Sequence, residues 1–533
     1  MGAGDLIELG LAALLAALAL VWRPWLEPYA ARLAQKPIWS ILLLAALPVA
    51  LRLALLSRHP VPVPDIYDEF SHLLVADTLR HFRLANPAHP AHPFGRFFET
   101  FFVLQEPTYS SIYPVGQGLA LALGWMIFGT PWAAVAISVA ALCALCYWML
   151  RGWTTPGWAL TGGLVAVMEF GPLNQWMNGY WGGALPAAAG CLVFGALPRL
   201  RRGARLRDGV LLGAGLGIHL LTRPYESVYL ALCVMLFLLP AWRRVTRPVL
   251  AAALVVLPAI CLTLLQNKQV TGSWTTLPYA VSQYQYGVPA ALTFEANASP
   301  HRELTREQEL DYKMQLSFRG DRAETVGSYL LRMAYRIRYY RFFFMPPLYV
   351  ALPFFFAALR RPRFVWVMVC PLIFAFGVNF FPAFQYHYMA GVTCLFVLIS
   401  VTGLEQLGRW NALAARVTVS LCVAQFAFEF GLQVLSNDPW SLALRNPERR
   451  VAVNRQLAQA PGKQLVFVRY WPRHIFQDEW VYNAADIDGA RVVWARDLGA
   501  AEDEKLRRYY PDRAVWLLEP DARPPRLTAY VGQ

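Results

Sequence analysis

Long apolar runs separated by short polar breaks set the pattern of this chain, and a run of about 20 residues is long enough to cross a bilayer as a helix. Such runs are predicted at 6 to 22, 38 to 56, 131 to 150, 157 to 171, 180 to 198, 209 to 222, 225 to 241, 249 to 266, 343 to 358, 364 to 381, 386 to 404 and 416 to 434. That makes twelve spans. A further apolar segment, Gly116 to Phe128, decides by its placement which side every later break faces.

Arginine settles that placement, because inner loops hold the excess of Lys and Arg. With 116 to 128 lying at the outer interface or dipping partway in, the short inner loops carry Arg23, Arg32, Lys36, Arg151, Arg199, Arg201, Arg202, Arg205, Arg207, Arg243, Arg244, Arg247, Arg360, Arg361, Arg363, Arg409 and Arg416, and the short outer loops carry Arg223 alone. Letting 116 to 128 span would put most of these cations outside, so both chain ends are predicted to face out. The outer regions are then 57 to 130, 267 to 342 and a tail from 435 to 533. Within the first, His59 to Pro64 is a stiff extended spacer. The tail carries β-type apolar runs at 464 to 470, 491 to 498 and 514 to 519 and a helical pattern near 500 to 510, which predicts a small extracytoplasmic α/β domain. The organisation is an extra N-terminal helix and inner loop (1–37), a membrane domain (38–434) and that tail (435–533).

Composition excludes a soluble enzyme: of 533 residues, 57% are hydrophobic and 15% charged, where soluble chains carry about a quarter charged. The mean hydropathy is +0.36. A net charge of +14 marks inner loops of a multi-pass protein of the cytoplasmic (inner) membrane, and no nucleic-acid-binding motif accompanies it. All 8 cysteines lie in apolar stretches, so Cys143 and Cys146 read as small buried hydrophobes and not as a redox or metal pair. The first apolar run lacks a basic lead and a small-residue cleavage site, which predicts a retained helix and not a signal peptide.

Chemistry is sought on the outer side. The first outer loop reads Pro64-Asp65-Ile66-Tyr67-Asp68-Glu69-Phe70, followed by Phe70, Leu73, Leu74, Asp77, Leu79 and Phe82 at helical spacing. Asp68 and Glu69 therefore open a helix at the membrane surface. Acids in a first helical turn complement the dipole in any protein; their position just outside a span, and next to the Tyr113-to-Gly116 entry of the surface helix, favours function.

An Asp-Glu pair after an early span, an amphipathic helix, Tyr-Pro-x-Gly (Tyr113 to Gly116) leading a surface helix that ends Phe128-Gly129, and then a ladder of spans resemble the GT-C fold of polyprenyl-phosphate-sugar-dependent glycosyltransferases, above all the protein mannosyltransferase and aminoarabinose transferase branch. The resemblance covers roughly 38 to 404 and is strongest between 60 and 200; the helix before 38 and the short tail depart from the family layout. It implies that Asp68, with Glu69 behind it, takes a proton from an acceptor hydroxyl attacking the anomeric carbon, in one displacement that inverts the configuration. A carboxylate suits the task because partial desolvation raises its basicity. The family holds metal-dependent and metal-free members. With no outer His/Asp cluster, no cofactor is expected to be required, although a divalent ion is compatible with the family.

The second outer turn, Gly171 to Gly183, follows a span of 15 residues that rises only about 22 Å against a core of roughly 30 Å. It is therefore recessed, and Asn174, Trp176, Asn178, Tyr180 and Trp181 are sugar-binding candidates, amides for hydrogen bonds and rings for a platform. An ordinary interfacial aromatic belt is the alternative. Relatives often place an Asp here and this chain does not. A leaving lipid phosphate calls for cations. Arg223 with Glu226, in Thr222-Arg223-Pro224-Tyr225-Glu226, occupies the one basic short outer turn; His387 and Tyr388 occupy another, resembling the place where relatives hold phosphate. Arg338 and Arg341, with Arg332 and Arg336, run through an aromatic helix before 343 that binds lipid phosphate if its basic face points in and anchors to anionic lipid if it points out. His219 and Glu429 have no partner evident in sequence, and Asn297-Ala298-Ser299 is a chance sequon weakened by Pro300.

The reading is an integral-membrane inverting glycosyltransferase that moves a sugar from a polyprenyl phosphate carrier to an unidentified extracytoplasmic glycan, lipid or protein acceptor, with membrane lipid and no nucleic acid as its other partners. A noncatalytic GT-C-like scaffold is the first rival. A lipid or solute transporter is the second; it predicts paired broken helices, ionisable residues near the midplane and internal symmetry, of which the sequence shows little.

Overall fold

Proline opens many of the helices: Pro37, Pro156, Pro224, Pro278 and Pro362 stand in first turns, where a missing N–H breaks no bond and the fixed φ suits the helix. In this computed structural model residues 27–89, 94–320 and 324–530 are described, with isolated residues before 27; the predicted span at 6 to 22 lies outside the described residues as an element. The helices of the apolar body are α1 (Pro37–Ala54), then, after the outer helix α2 (Tyr67–Arg80), α3 (Val115–Phe128), α4 (Trp132–Leu150), α5 (Pro156–Phe170), α6 (Ala184–Gly203), α7 (Leu206–Thr222), α8 (Pro224–Leu238) and α9 (Trp242–Thr271). Three further helices outside the apolar body follow, α10 (Pro278–Tyr286), α11 (Arg306–Arg319) and α12 (Val326–Arg336), before α13 (Pro362–Val378), α14 (Thr393–Trp410) and α15 (Ala412–Leu435).

Among the described residues five helical stretches are long and apolar enough to cross a membrane: Pro37–Ala54, Trp132–Leu150, Pro224–Thr271, Tyr386–Trp410 and Ala412–Leu435. The second-to-last is the central one, 94% buried over its most apolar window, whereas α1 and α15 are peripheral. Close approach is built from small residues. A Cβ on Gly209 would stand 2.2 Å from the Pro248 carbonyl oxygen and one on Gly213 2.5 Å from that of Ala252, so α7 and α9 touch backbone to backbone. Segment 343 to 358, expected as a helical span, is a succession of 3-10 turns at Ile337–Phe343, Pro346–Val350 and Leu352–Arg360. Pro346, Pro347 and Pro353 remove N–H donors from any α-helix there, and at about 2 Å per residue a 3-10 path covers more height than an α-helix of equal length.

Outside this body the first outer loop adds a small antiparallel sheet of β1 (Asn86–Pro87), β2 (Val103–Leu104) and β3 (Thr108–Ser111), order β1-β3-β2. The tail carries β4 (Lys463–Val468), β5 (Val492–Arg496), β6 (Arg513–Glu519) and β7 (Arg526–Ala529) in the order β5-β4-β6-β7. Leu465 lies level with Val493 and with Val515 in parallel pairs, and β7 runs antiparallel at the edge. Helices α16 (Glu448–Gln459) and α17 (Ala500–Tyr509) pack on this sheet through Val453, Leu457 and Leu506.

The tail shares its core with the first outer loop, since Leu74, Phe97, Phe98 and Tyr109 pack with Leu465, Phe467 and Val493. Buried Arg496 pins three segments together: it pairs with Glu307 of α11 at 2.6 Å and with Glu479, and donates from Nε to the Glu99 carbonyl at 2.8 Å. Asp77 accepts from the Ala485 N–H at 2.8 Å. These contacts hold the tail against the C-terminal half of α2.

Candidate functional site

The extended spacer before α2 delivers Asp65 to Glu69 against the second outer turn, and Glu69 makes the joint. Its Oε2 accepts from the N–H groups of Asp65 (2.8 Å) and Ile66 (3.3 Å), closing the start of α2, while Oε1 accepts from the Tyr180 N–H at 2.6 Å. A Cβ on Gly179 would stand 2.7 Å from Oε1, so only glycine lets the carboxylate reach. Burial pushes Glu69 up to about 7 against those three amides. With both oxygens on backbone donors, its place is that of a clamp.

Asp68, one residue earlier, is buried but points the other way and accepts from the Tyr113 hydroxyl. Burial raises its pKa to about 6, opposed by that hydroxyl, the Arg223 charge and the Trp181 indole. One turn on, His72 stacks on the Tyr113 ring at 4.2 Å, and both its ring nitrogens are buried without a partner among the described residues. Burial first and Arg223 second push it down to about 3, so it stays neutral.

Arg223 caps α7 and precedes α8, its guanidinium 5.8 Å from the centroid of the Tyr388 ring. Its charge acts on Asp68, His72, Glu226, His387 and Tyr388 alike. Among the described residues its guanidinium forms no hydrogen bond or close ion pair. His387 lies edge-on to Trp181 at 4.9 Å and within electrostatic reach of His72. From the second outer loop, Asp311 of α11 and Tyr279 of α10 join the group, the first by its field at Asp68 and the second by its coupling to Tyr388 and Glu226. The result is a largely buried cluster of carboxyls, a cation and imidazoles. Such a cluster can take a proton from one ligand and accept negative charge from another.

Of the residues expected from sequence, Asp68, Trp181, Arg223, Glu226, His387 and Tyr388 meet in this cluster. The other four of the second outer turn are engaged in its framework. Asn174 donates to the Glu169 carbonyl and accepts from the Trp176 N–H, both at 2.9 Å. Asn178 accepts from Arg52 Nε at 2.8 Å and donates to the Pro172 and Asn174 carbonyls. Trp176 packs on Phe170 and Phe342, and the Tyr180 hydroxyl donates to the Pro62 carbonyl at 2.7 Å. Gly183, at φ +123, has no room for a Cβ, which would sit 2.3 Å from the Trp176 indole.

Arg338 and Arg341 point outward: both are exposed, and Arg338 stacks on Tyr335 at 3.7 Å. The inward member of that helix is Arg336, which donates to the Val378, Phe381 and Pro382 carbonyls and shapes the turn that carries His387. His219 and Glu429 have partners in the fold, Ser227 at 2.7 Å and Gln425 at 2.9 Å.

Sequence reading missed His72, Tyr279 and Asp311. His72 stands four residues after Asp68, on the same helix face, a signal available in the sequence; Asp311 carried none. Among the described residues no three or more His, Cys, Asp or Glu side chains stand together as metal ligands. A cavity of about 550 Å³ between α7, α8 and α9, lined by Leu212, Leu216, Val234, Trp242 and Val256, holds no ionisable group.

No protein-family model and no curated protein matches the chain. Among solved structures it is similar to ArnT from Cupriavidus metallidurans in the apo state, at 13% identity and a TM-score of 0.50, over 90% of this chain and 92% of that one. The same protein bound to undecaprenyl phosphate gives 13% and 0.49 over 90% and 92%. The Archaeoglobus fulgidus oligosaccharyltransferase in complex with Zn and sulfate gives 12% and 0.47 over 90% of this chain and 67% of its own. The likeness to apo ArnT, an aminoarabinose transferase, identifies the fold as GT-C.

Proposed function

We propose that the protein is an inverting glycosyltransferase of the inner membrane that moves a sugar from a polyprenyl phosphate to an acceptor on the extracytoplasmic side. The observation that carries this reading is the juxtaposition of Asp68, buried and basic enough to ionise near neutrality, with Arg223, whose guanidinium is free to hold an anion. The donor class comes from ArnT, solved with undecaprenyl phosphate bound, and the free cation at this site is what suits the same headgroup here.

In the reaction, the acceptor hydroxyl gives its proton to the Asp68 carboxylate as its oxygen bonds to the anomeric carbon. The bond from that carbon to the phosphate oxygen breaks, and the electron pair leaves with the phosphate, beside Arg223. His72, neutral, and His387 donate to its oxygens, Trp181 lies against the sugar, and Tyr113 orients Asp68. Glu69 positions the helix start, and no step is routed through a metal. Twelve spans with both ends outside, and the tail as an extracytoplasmic α/β domain, complete the proposed arrangement.

The test is incubation of the purified protein in lipid with a panel of labelled polyprenyl-phosphate sugars. Loss of label from one carrier, abolished in Asp68→Asn, is expected. A folded wild-type protein that consumes no donor with a cell-envelope acceptor source present would overturn the proposal.

A further inference from the structure

Asp311, like Glu226, is a buried carboxyl of the cluster that the reaction above leaves without a task. It lies on α11 with Glu307 and Gln308, the other buried members of that helix. Glu307 is locked to Arg496 and Gln308 donates to Glu99, so the inward face of α11 is fixed and Asp311 is aimed by it. Its side chain is fully buried; Oδ2 accepts from Gln315 Nε2 at 2.9 Å, and Oδ1 has no partner among the described residues. An unpaired buried oxygen is costly, on the order of 1–3 kcal/mol, and its persistence is accounted for when a ligand supplies the missing donor.

Two aromatic side chains lie within electrostatic reach of Asp68, and one of them of Asp311 as well. Tyr67 feels the charges of both Asp68 and Asp311. Tyr482 of the tail feels Asp68 and stacks face to face on Phe70 at 4.3 Å, with Arg450 over the far side of that ring. Carboxyl acceptors beside rings held rigidly by stacking are the chemistry that recognises a sugar: hydroxyls in the ring plane meet the acceptors, and the C–H face meets the aromatic. Both rings feel the charge of Asp68, the base of the proposed reaction, so a sugar held beside them has its hydroxyls near that base.

Resting on the function proposed above, we infer that Asp311, with Tyr67 and Tyr482, forms an acceptor subsite that takes a sugar ring. Its unpaired Oδ1 receives a hydrogen-bond donor of that ring and holds the nucleophilic hydroxyl against Asp68. The acceptor is then a glycan or glycolipid, and the tail belongs to the active site as the wall that closes it. The donor on the ring is a hydroxyl or an ammonium, and one experiment separates them.

Purified protein in nanodiscs is given its polyprenyl-phosphate sugar and, as surrogate acceptors, n-octyl β-glucoside, galactoside, mannoside and glucosaminide. Wild type is expected to glycosylate at least one. Asp311→Asn keeps the size of the side chain and an oxygen for Gln315; it should raise the KM for that glycoside about tenfold or more while kcat and the KM for donor stay within about threefold. An effect on the glucosaminide alone identifies an ammonium, and an effect on the neutral glycosides identifies a hydroxyl.

A measurement on wild type alone stands beside this: among monodeoxy octyl glycosides, removal of one hydroxyl other than the nucleophile must raise KM, and that penalty must vanish in Asp311→Asn. Donor consumption with none of the glycosides used, or unchanged acceptor KM in Asp311→Asn, overturns the subsite and leaves the transferase reading intact. Donor left unconsumed by wild type overturns both.

Discussion

Replacing Asp68 by Asn separates the chemistry of the site from the stability of the fold, because the two are expected to move in opposite directions. The substitution keeps the side chain's shape and an oxygen to accept the Tyr113 hydroxyl, but removes the charge that burial opposes. A carboxyl whose pKa rises from 3.8 to about 6 on folding loses roughly 3 kcal/mol of native-state stability as pH climbs between those values, since the unfolded chain ionises first. The variant has no such loss. Its thermal midpoint should therefore match that of wild type below pH 4, exceed it above pH 6, and hold a constant lead from there upward.

Turnover should fall by about 10²- to 10⁴-fold, the usual contribution of a positioned base. In wild type the rate should rise with pH as Asp68 ionises, from about a tenth of the carboxyls at pH 5 to about nine-tenths at pH 7. Thermal unfolding in lipid across pH 4 to 8, alongside donor-consumption rates, gives both curves. A variant that keeps more than a tenth of the turnover, or melts below wild type at pH 7.5, refutes the assignment of Asp68 as a desolvated base.

Glu69→Gln places an NH₂ against one of three backbone N–H groups and should cost about 1–3 kcal/mol of stability, with activity lost in step with the folded fraction by melting and gel filtration. Arg223→Gln removes the cation that lowers the Asp68 pKa; the rising limb of the pH–rate profile should shift alkaline and the donor KM increase, both partly restored by Arg223→Lys. Arg338→Ala and Arg341→Ala, at exposed positions, should leave turnover and donor KM within about twofold in steady-state assays, whereas an inward role would raise KM by an order of magnitude.

Part of the site was legible because it rests on local rules. Asp68 and Glu69 in a first helical turn after a proline-rich spacer, and a lone arginine in a short outer turn, stand out in any reading of charge against hydropathy. In the second outer turn the sequence left two readings open for a physical reason: amides and rings beside glycines suit a sugar and suit a tight buried turn equally well. Here Asn174, Asn178 and Tyr180 spend their polar atoms on carbonyls and amides of the fold, and Trp176 is core. Only Trp181 was left to face the cluster. Likewise Arg336 and Arg338 are two residues apart in a basic aromatic helix, and the helix rotation buries one and exposes the other.

By itself the sequence determined where most helices run, from α4 and α5 to α14 and α15, because hydrophobic length and helix-opening prolines act over neighbouring residues. It also showed acids opening a helix just after an early apolar run, and one arginine in a short turn that otherwise lacks cations. Only the tertiary structure decided which of those groups meet in one cluster. Asp68, Tyr113, Trp181, Arg223, Asp311 and His387 come from six separate segments, and their meeting depends on how each helix is rotated and on the backbone-to-backbone packing of glycine-bearing faces. Hydropathy averages over just that rotation, so it registers that a segment is apolar and is blind to where its one polar side chain points.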